Sequence, residues 1–237
     1  MEELRFLEEQ NVSPELIKRV EEFRQAYPVK EEAAGRITKP SIPFYGKEIL
    51  EMAIAAILQG QNLLLTGPKA TGKNILAENL AYIFNRPSYN VSFHVNTNSG
   101  DLIGTDTFED NEVKLRKGSI YRCAEYGGFG ILDEINMAKN DAVSVLHATL
   151  DYRRSIDVPG YDKIDLHPAA RFIGTMNYGY AGTKELNEAL VSRFLVSICR
   201  HRQRRHFALF LRKCSRMQRK KPLNSLPDCF WISSSKH

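Results

Sequence analysis

A glycine-rich octapeptide between an apolar run and a helical pattern has the clearest chemical meaning in the sequence. It comprises Gly67, Pro68, Lys69, Ala70, Thr71, Gly72, Lys73 and Asn74. The apolar run 62–66 precedes it, and in the following segment, 73–84, Leu76, Leu80 and Ile83 recur at helical spacing. Glycines let backbone N–H groups curve around phosphate oxygens, a helix N-terminus adds a favourable dipole, and a lysine supplies positive charge. The octapeptide therefore predicts a phosphate-binding loop for ATP.

The last residue of this loop departs from the usual pattern. Asn74 stands where a serine or threonine normally gives its hydroxyl to Mg²⁺. An amide oxygen can coordinate a hard cation, or hold one of its waters, although with a different geometry. We therefore expect Mg²⁺–nucleotide binding to survive at this loop, and hydrolysis to be the step that the substitution puts at risk.

Two carboxylates follow an apolar run about 60 residues beyond the loop. The run is Phe129–Asp133, and Glu134 comes directly after it. A strand that ends in two acids is by itself typical of a solvated strand end. Together with a phosphate-binding loop, it predicts that Asp133 binds Mg²⁺ and that Glu134 acts as the general base that polarises the attacking water.

A second buried-strand pattern, Arg171–Met176, also ends in a polar residue, Asn177, whose amide could meet the terminal phosphate or the water. After it, residues 185–195 have a helical pattern that contains Arg193 near its end. An arginine at a helix C-terminus most often only favours the negative end of the helix dipole. Without further evidence, we interpret Arg193 in this way.

Apolar runs and helical patterns alternate through the middle of the chain, which predicts an α/β fold with a mainly parallel sheet covered by helices. The predicted strands are 62–66, 89–95, 129–133 and 171–176, and the predicted helices are 47–59, 73–84 and 139–150. Segments 100–119 and 152–166 interrupt the alternation with short apolar or aromatic stretches around turn residues. We interpret each as an inserted hairpin.

The chain divides into three predicted parts. Residues 1–42 form an N-terminal helix and linker, in which Ser13 is the N-cap and Pro14 the first helical residue. Residues 43–197 form the nucleotide-binding core. Residues 198–237 form a basic tail, since eleven Lys or Arg and one acid fall within 200–237.

Composition limits the class of protein. At 237 residues and 43% apolar, the chain can bury one sizeable core. Its apolar runs fall short of the roughly 20 residues of a membrane span, and the acidic N-terminus lacks a signal-peptide pattern, so we expect a cytoplasmic protein without membrane contact. The cysteines show no CxxC pair, which favours reduced thiols and no metal beyond Mg²⁺. They are Cys123, Cys199, Cys214 and Cys229.

The order of these motifs resembles the AAA+ ATPases, specifically the MoxR-type branch that includes dynein- and midasin-related proteins. The resemblance covers residues of about 43–196. It is closest in residues 175–182, with the sequence Thr-Met-Asn-Tyr-Gly-Tyr-Ala-Gly, and in residues 101–104, with the sequence Asp-Leu-Ile-Gly. It implies a P-loop NTPase fold in which Asn177 is the sensor 1 residue.

The same resemblance implies that Arg193 is an arginine finger reaching the nucleotide of a neighbouring subunit, in a homo-oligomeric ring that is often a hexamer. The hairpin inserts would engage a protein client or a von Willebrand factor A-domain partner, which the ATPase remodels in a chaperone-like way. The family continues into a helical lid with a sensor 2 arginine, to which residues beyond 197 do not align. We therefore expect a degenerate or truncated lid, with a truncated or out-of-frame ending as one hypothesis.

The expected function is thus ATP binding and Mg²⁺-dependent hydrolysis by an assembling ATPase. Two alternatives stay open at this stage. The first is a nucleotide-binding module with little or no hydrolysis, because Asn74 is unusual and no lid is recognisable. The second is a nucleic-acid binder, because ten Lys or Arg within residues 200–221 could neutralise several phosphates.

Overall fold

Five parallel strands form the central sheet of the chain. The computed structural model describes residues 2–177 and 186–199. The strands are β1 (Leu63–Thr66), β2 (Ser88–Ser92), β3 (Gly104–Glu109), β4 (Glu112–Lys117), β5 (Phe129–Asp133), β6 (Ser155–Ile156), β7 (Ile164–Asp165), β8 (Arg171–Met176) and β9 (Leu195–Ile198). In the central sheet the order is β2-β5-β8-β1-β9, and every neighbouring pair is parallel. The predicted α/β fold with a parallel sheet is confirmed.

Helices pack on both faces of this sheet. They are α1 (Glu2–Glu9), α2 (Pro14–Ala26), α3 (Glu31–Ala34), α4 (Lys47–Leu58), α5 (Lys73–Ile83), α6 (Ser99–Ile103), α7 (Ser119–Tyr126), α8 (Asn140–Thr149) and α9 (Glu188–Val191), with a 3-10 helix at Ile135–Met137. Successive strand residues point to opposite faces. Accordingly, Leu63 and Leu65 join the apolar cluster that contains α1, α2, α4 and α5, whereas Leu64 joins the cluster that contains α7 and α8.

Both predicted hairpin inserts are present. Strands β3 and β4 pair antiparallel around Asp110 and Asn111, whose φ values of 54° and 65° are those of a type I′ hairpin turn. Strands β6 and β7 form a shorter antiparallel pair. The two inserts touch, because the Tyr161 hydroxyl donates a hydrogen bond to Asp106 Oδ1 at 2.7 Å.

The structure corrects the sequence prediction at one helix and adds several short elements. The helix predicted over 185–195 is wrong in its extent: of the described residues only Glu188–Val191 are helical, and Leu195 begins strand β9. Helices α1, α3, α6 and α7 were not predicted. Ser13 does precede the first residue of α2, although its side chain makes no capping hydrogen bond.

The N-terminal helices share the core of the sheet domain. Leu7 and Val20 are fully buried, and Phe23 packs edge-on against Phe84 with ring centroids 5.1 Å apart. Near the C-terminus of α4, the buried Arg171 guanidinium donates a hydrogen bond from Nε to the Ile57 carbonyl at 3.0 Å, which links α4 to β8. Among the described residues, no helix has the length and hydropathy needed to cross a bilayer.

Candidate functional site

Three loops converge at the carboxyl ends of the central strands, which we call the phosphate edge of the sheet. Strands β5, β8 and β1 are consecutive neighbours and run in the same direction. The residues that follow their carboxyl ends therefore lie side by side. This topology brings together the glycine-rich loop, the acidic pair Asp133–Glu134 and Asn177.

The backbone of the glycine-rich loop has conformations that only some residues tolerate. Gly67 has φ of +157°, Ala70 has +60° and Gly72 has +84°. A Cβ placed on Gly67 would lie 2.2 Å from the backbone oxygen of Cys199. Gly72 precedes α5 and supplies no side-chain cap, so the first N–H groups of an eleven-residue helix face the loop and favour an anion.

The side chain of Lys73 folds over this loop. It is 7% exposed, and its Nζ donates to the carbonyl oxygens of Gly67 at 3.0 Å and Pro68 at 2.7 Å and to the Thr71 hydroxyl at 3.3 Å. Burial lowers the pKa of the Lys73 ammonium, while the nearby Cys199 thiol and Asp133 carboxylate act in the opposite direction. A buried, loop-bound cation beside bare helix N–H groups suits the oxygens of a phosphate chain.

The remaining loop residues lie further toward solvent. Lys69 and Ala70 are exposed, and the Thr71 hydroxyl donates to the Pro68 carbonyl at 3.0 Å, which tightens the turn. Asn74 is exposed on the first turn of α5. Its amide is thus accessible from the same edge of the sheet.

The acidic pair is organised by strand β8. The Thr175 hydroxyl donates to Asp133 Oδ1 at 2.5 Å. Glu134 adopts the left-handed conformation, with φ of 53° and ψ of 44°, and its Oε1 accepts a hydrogen bond from Asn177 Nδ2 at 3.3 Å. The structure therefore brings together Glu134 and Asn177, the predicted general base and sensor.

Arg193 lies away from these residues, where the strands begin. We call these amino ends of the strands the Arg193 edge of the sheet. It precedes β9, whereas the phosphate loop follows β1, the parallel neighbour of β9. Four strand residues at about 3.3 Å each separate the two edges by about 13 Å. Arg193 therefore lies at the end of the strands opposite to the phosphate loop of its own chain.

The Arg193 guanidinium is held against its surroundings. Its Nη1 donates to the Ala189 carbonyl, and its Nη2 lies 3.8 Å from Asp151 Oδ2. Its Nε is buried and finds no hydrogen-bond partner in the described part of the chain. A half-open cavity of about 290 Å³ lies beside it, lined in part by Asn62 and Arg154.

Two residues with evident structural roles at the site were not singled out from the sequence. Thr175 lies two positions before Asn177, at the end of β8, and in an extended chain that spacing puts two side chains on the same side, so it was a usable signal. Asn79 is buried on α5; its Nδ2 donates to the Ile42 carbonyl at 2.9 Å, and its Oδ1 accepts from the Phe44 N–H at 3.1 Å. Its only sequence signal was a polar residue within an apolar helical face.

Several predictions fall on residues that the structure does not describe. They concern the motif residues 178–182, the start of the predicted helix at 185, and the basic tail from 200 onward with its possible nucleic-acid segment 200–221. The expectation of a degenerate or truncated lid concerns these residues as well.

A parallel sheet with a glycine-rich loop after one strand and an acidic pair after its second neighbour defines a P-loop ATPase fold. The sequence of residues 62–194 matches the family of AAA domains described as the dynein-related subfamily. The chain belongs to this family and is an AAA+ ATPase-family protein.

The chain is also similar to curated proteins of two bacteria. The uncharacterized protein YojN of Bacillus subtilis is 36% identical over 154 residues, which cover 62% of this chain and 50% of YojN. The uncharacterized protein SERP0979 of Staphylococcus epidermidis is 35% identical over 154 residues, covering 62% of this chain and 59% of that protein. The chain thus spans about half the length of these curated relatives.

The fold is similar to that of a protein from Cytophaga hutchinsonii that is provisionally described as an ATPase. The TM-score is 0.57 at 18% sequence identity, and the match covers 91% of this chain and 58% of the other. At that identity the likeness concerns the fold.

Proposed function

We propose that the chain binds ATP with Mg²⁺ at the loop 67–74 and hydrolyses the terminal phosphate when copies of the chain assemble. One observation supports this most directly: Asn177 Nδ2 contacts Glu134 Oε1 at 3.3 Å, at the sheet edge where Lys73 also lies. A buried cation, a carboxylate base and an amide that orients it are the parts that phosphoryl transfer to water requires.

The phosphate chain would lie along the backbone N–H groups of the loop and the start of α5, and Lys73 would exchange its bonds to Gly67 and Pro68 for phosphate oxygens. The donor set suits Mg²⁺, which prefers carboxylate and amide oxygens. Asp133 and Asn74 would hold the ion or its waters. Bound Mg²⁺ would neutralise charge on the phosphate oxygens.

Glu134 would accept the proton of the attacking water, with Asn177 fixing the carboxylate through the hydrogen bond from its amide. The backbone of Glu134 supports this role. A left-handed non-glycine residue costs on the order of 1–3 kcal/mol and persists where the surroundings over-determine it. Here the Met137 N–H donates to the Glu134 carbonyl at 2.8 Å, which helps to hold the turn that aims the side chain.

Arg193 would act on a neighbouring copy as an arginine finger. Its position about 13 Å from the phosphate edge excludes direct contact with the nucleotide of its own chain but suits contact across an interface. An assembly in which each phosphate edge meets the Arg193 edge of the next copy is head-to-tail, and we propose that the rotation between copies closes it as a ring. A hexamer is the size we propose.

We further propose that residues 43–197 are the ATPase core and residues 198–237 a basic tail, and that the N-terminal segment 1–42, predicted as one helix and a linker, instead packs on the core through its helices. The two hairpins would couple nucleotide turnover to a protein client or a von Willebrand factor A-domain partner. Phe108 and Val113 face each other across the first hairpin and are 71% and 63% exposed. An exposed apolar pair at a hairpin tip is suited to contact with a polypeptide.

The experiment that tests the proposal compares the parent chain with Lys73→Ala and Glu134→Gln, using a fluorescent ATP analogue for binding and phosphate release for turnover. Lys73→Ala should lose both. Glu134→Gln should keep binding and lose about 10²–10⁴-fold in turnover, the usual contribution of a general base. Equal turnover in Glu134→Gln and the parent would contradict the proposed chemistry.

Action across an interface is tested by mixing two inactive variants. Lys73→Ala keeps Arg193, and Arg193→Gln keeps the phosphate loop, so mixed assemblies contain interfaces with both groups intact. Mixing should restore part of the turnover. Arg153→Gln is the matched control, because Arg153 is 65% exposed, also pairs with Asp151 and should not be needed.

A second candidate function is a nucleotide-binding module with little or no hydrolysis. The observation that favours it is the exposed Asn74 at the position of the usual hydroxyl ligand. In that case the parent chain binds the analogue through Lys73 but shows no ATP turnover, so Glu134→Gln leaves turnover unchanged. The nucleic-acid alternative would instead require oligonucleotide binding with a steep salt dependence.

A further inference from the structure

The Thr175 hydroxyl contacts both acidic residues of the site at once. It donates to Asp133 Oδ1 at 2.5 Å and accepts the backbone N–H of Glu134 at 3.4 Å. Thr175 is 1% exposed, and the β-branched side chain has few alternative rotamers on a buried strand. One buried group therefore connects the two carboxylate-bearing residues to the neighbouring strand.

The chemistry of a hydroxyl determines what this contact does. Threonine has one O–H proton and two acceptor lone pairs. The proton is used on Asp133 Oδ1, so that oxygen points to β8. A hydroxyl hydrogen bond to a carboxylate is stronger than a bond between two neutral groups, so it holds the Asp133 side chain in one orientation.

The accepted N–H bond has a second effect, on the turn at Glu134. That residue sits at φ of 53°, a conformation that needs support from its surroundings. The bond from its N–H to Thr175 Oγ1 supplies part of that support from β8, the same strand that ends next to Asn177.

We propose that Thr175 is a positioning residue that sets the orientation of Asp133 for Mg²⁺ and holds Glu134 in register with Asn177. This inference rests on the proposed function of the site. Partners of metal-binding carboxylates commonly contribute 10–100-fold to metal affinity. Loss of the Thr175 hydroxyl should therefore weaken the cation site while leaving nucleotide binding without metal intact.

The test compares Thr175→Val, which has the same shape without the hydroxyl, with Thr175→Ser, which keeps the hydroxyl. Mn²⁺, which accepts the same oxygen ligands as Mg²⁺, is titrated into each chain saturated with ADP, and free Mn²⁺ is followed by electron paramagnetic resonance. Binding of a fluorescent ADP analogue in EDTA is measured in parallel. Thr175→Ala is a second hydroxyl-free variant should valine unfold the chain, which circular dichroism reports.

Thr175→Val should raise the Mn²⁺ dissociation constant by about 10–100-fold, with analogue binding in EDTA unchanged and Thr175→Ser close to the parent. Equal Mn²⁺ affinity in all variants, or a matching loss of analogue binding in EDTA, would overturn the inference. A parent chain that binds no nucleotide would instead overturn the proposed function. The two failures are thus distinguishable.

Discussion

Replacing Gly67 by alanine tests the link between loop geometry and sheet packing. The added methyl would start 2.2 Å from the Cys199 oxygen and 3.4 Å from the Cys199 Cβ. The first neighbour is a backbone atom that cannot rotate away, so the end of β9 must separate from the loop. That movement threatens the hydrogen bond from the Cys199 N–H to the Thr66 carbonyl, which is 2.7 Å long.

The expected magnitude has two parts. A non-glycine residue at φ of +157° costs on the order of 1–3 kcal/mol. Forcing an extra methyl into a packed site costs about 1–3 kcal/mol more. The free energy of unfolding should thus fall by about 2–6 kcal/mol, and at about 2–4 °C per kcal/mol the Tm should fall by at least about 4 °C.

The assay is urea denaturation followed by circular dichroism, with analogue binding measured on the folded protein. Gly35→Ala is the matched control, because Gly35 has φ of −63° and open space around its Cβ position. That substitution should be neutral or stabilise by about 0.4–1 kcal/mol. If Gly67→Ala unfolds at the parent's urea concentration and binds the analogue normally, the account of the loop is wrong.

Two further predictions concern the metal position and the response to acid. Asn74→Ser restores the usual hydroxyl at the Mg²⁺ position and should raise Mg²⁺-dependent turnover by about tenfold; a kcat equal to or below that of the parent would contradict the role given to Asn74. His167 has its pKa lowered by burial and by the cations Arg86, Lys30 and Arg154, so below its ordinary value of 6.5 the unfolded chain binds the proton more readily. Stability should therefore fall as pH drops below 6.5. The urea midpoint should change less between pH 7 and pH 5 in His167→Gln than in the parent, whereas the exposed-site control His94→Gln should behave like the parent.

The parts of the fold that sequence predicted well are those set by local patterns. The strands β1, β5 and β8 are largely apolar because both of their faces are covered, and such runs can be recognised without knowledge of the strands they pair with. The phosphate loop and the acidic pair follow directly from two of them. Their convergence needed only the rule that parallel strands end at a common edge.

Strand β9 shows why other parts were not predictable. Its pairing with β1 joins Leu195 to Leu63, residues far apart in sequence, and no local pattern encodes that partner. Leu195 and Val196 are 41% and 43% exposed, as befits an edge strand, so the run is short and only half-buried. Phe194 and Leu195 also fit a helical spacing with the residues before them, which explains the over-long helix prediction.

The site residues divide in the same way. Lys73 and the acidic pair could be identified because motif and spacing report their chemistry. The importance of Thr175 depends on the distance between two strands, which only the fold supplies. Likewise Asn79 hydrogen-bonds the backbone of residues 42–44, and that segment has no regular sequence pattern from which the contact could be predicted.

Steady-state ATP turnover against protein concentration, for the parent chain and Lys73→Ala, decides whether the chain is an ATPase that acts between copies. We expect turnover per chain to rise with concentration, because Arg193 must come from a second copy, and to vanish in Lys73→Ala. Turnover that persists in Lys73→Ala, or a parent chain that neither binds nor hydrolyses ATP at any concentration, would contradict this expectation.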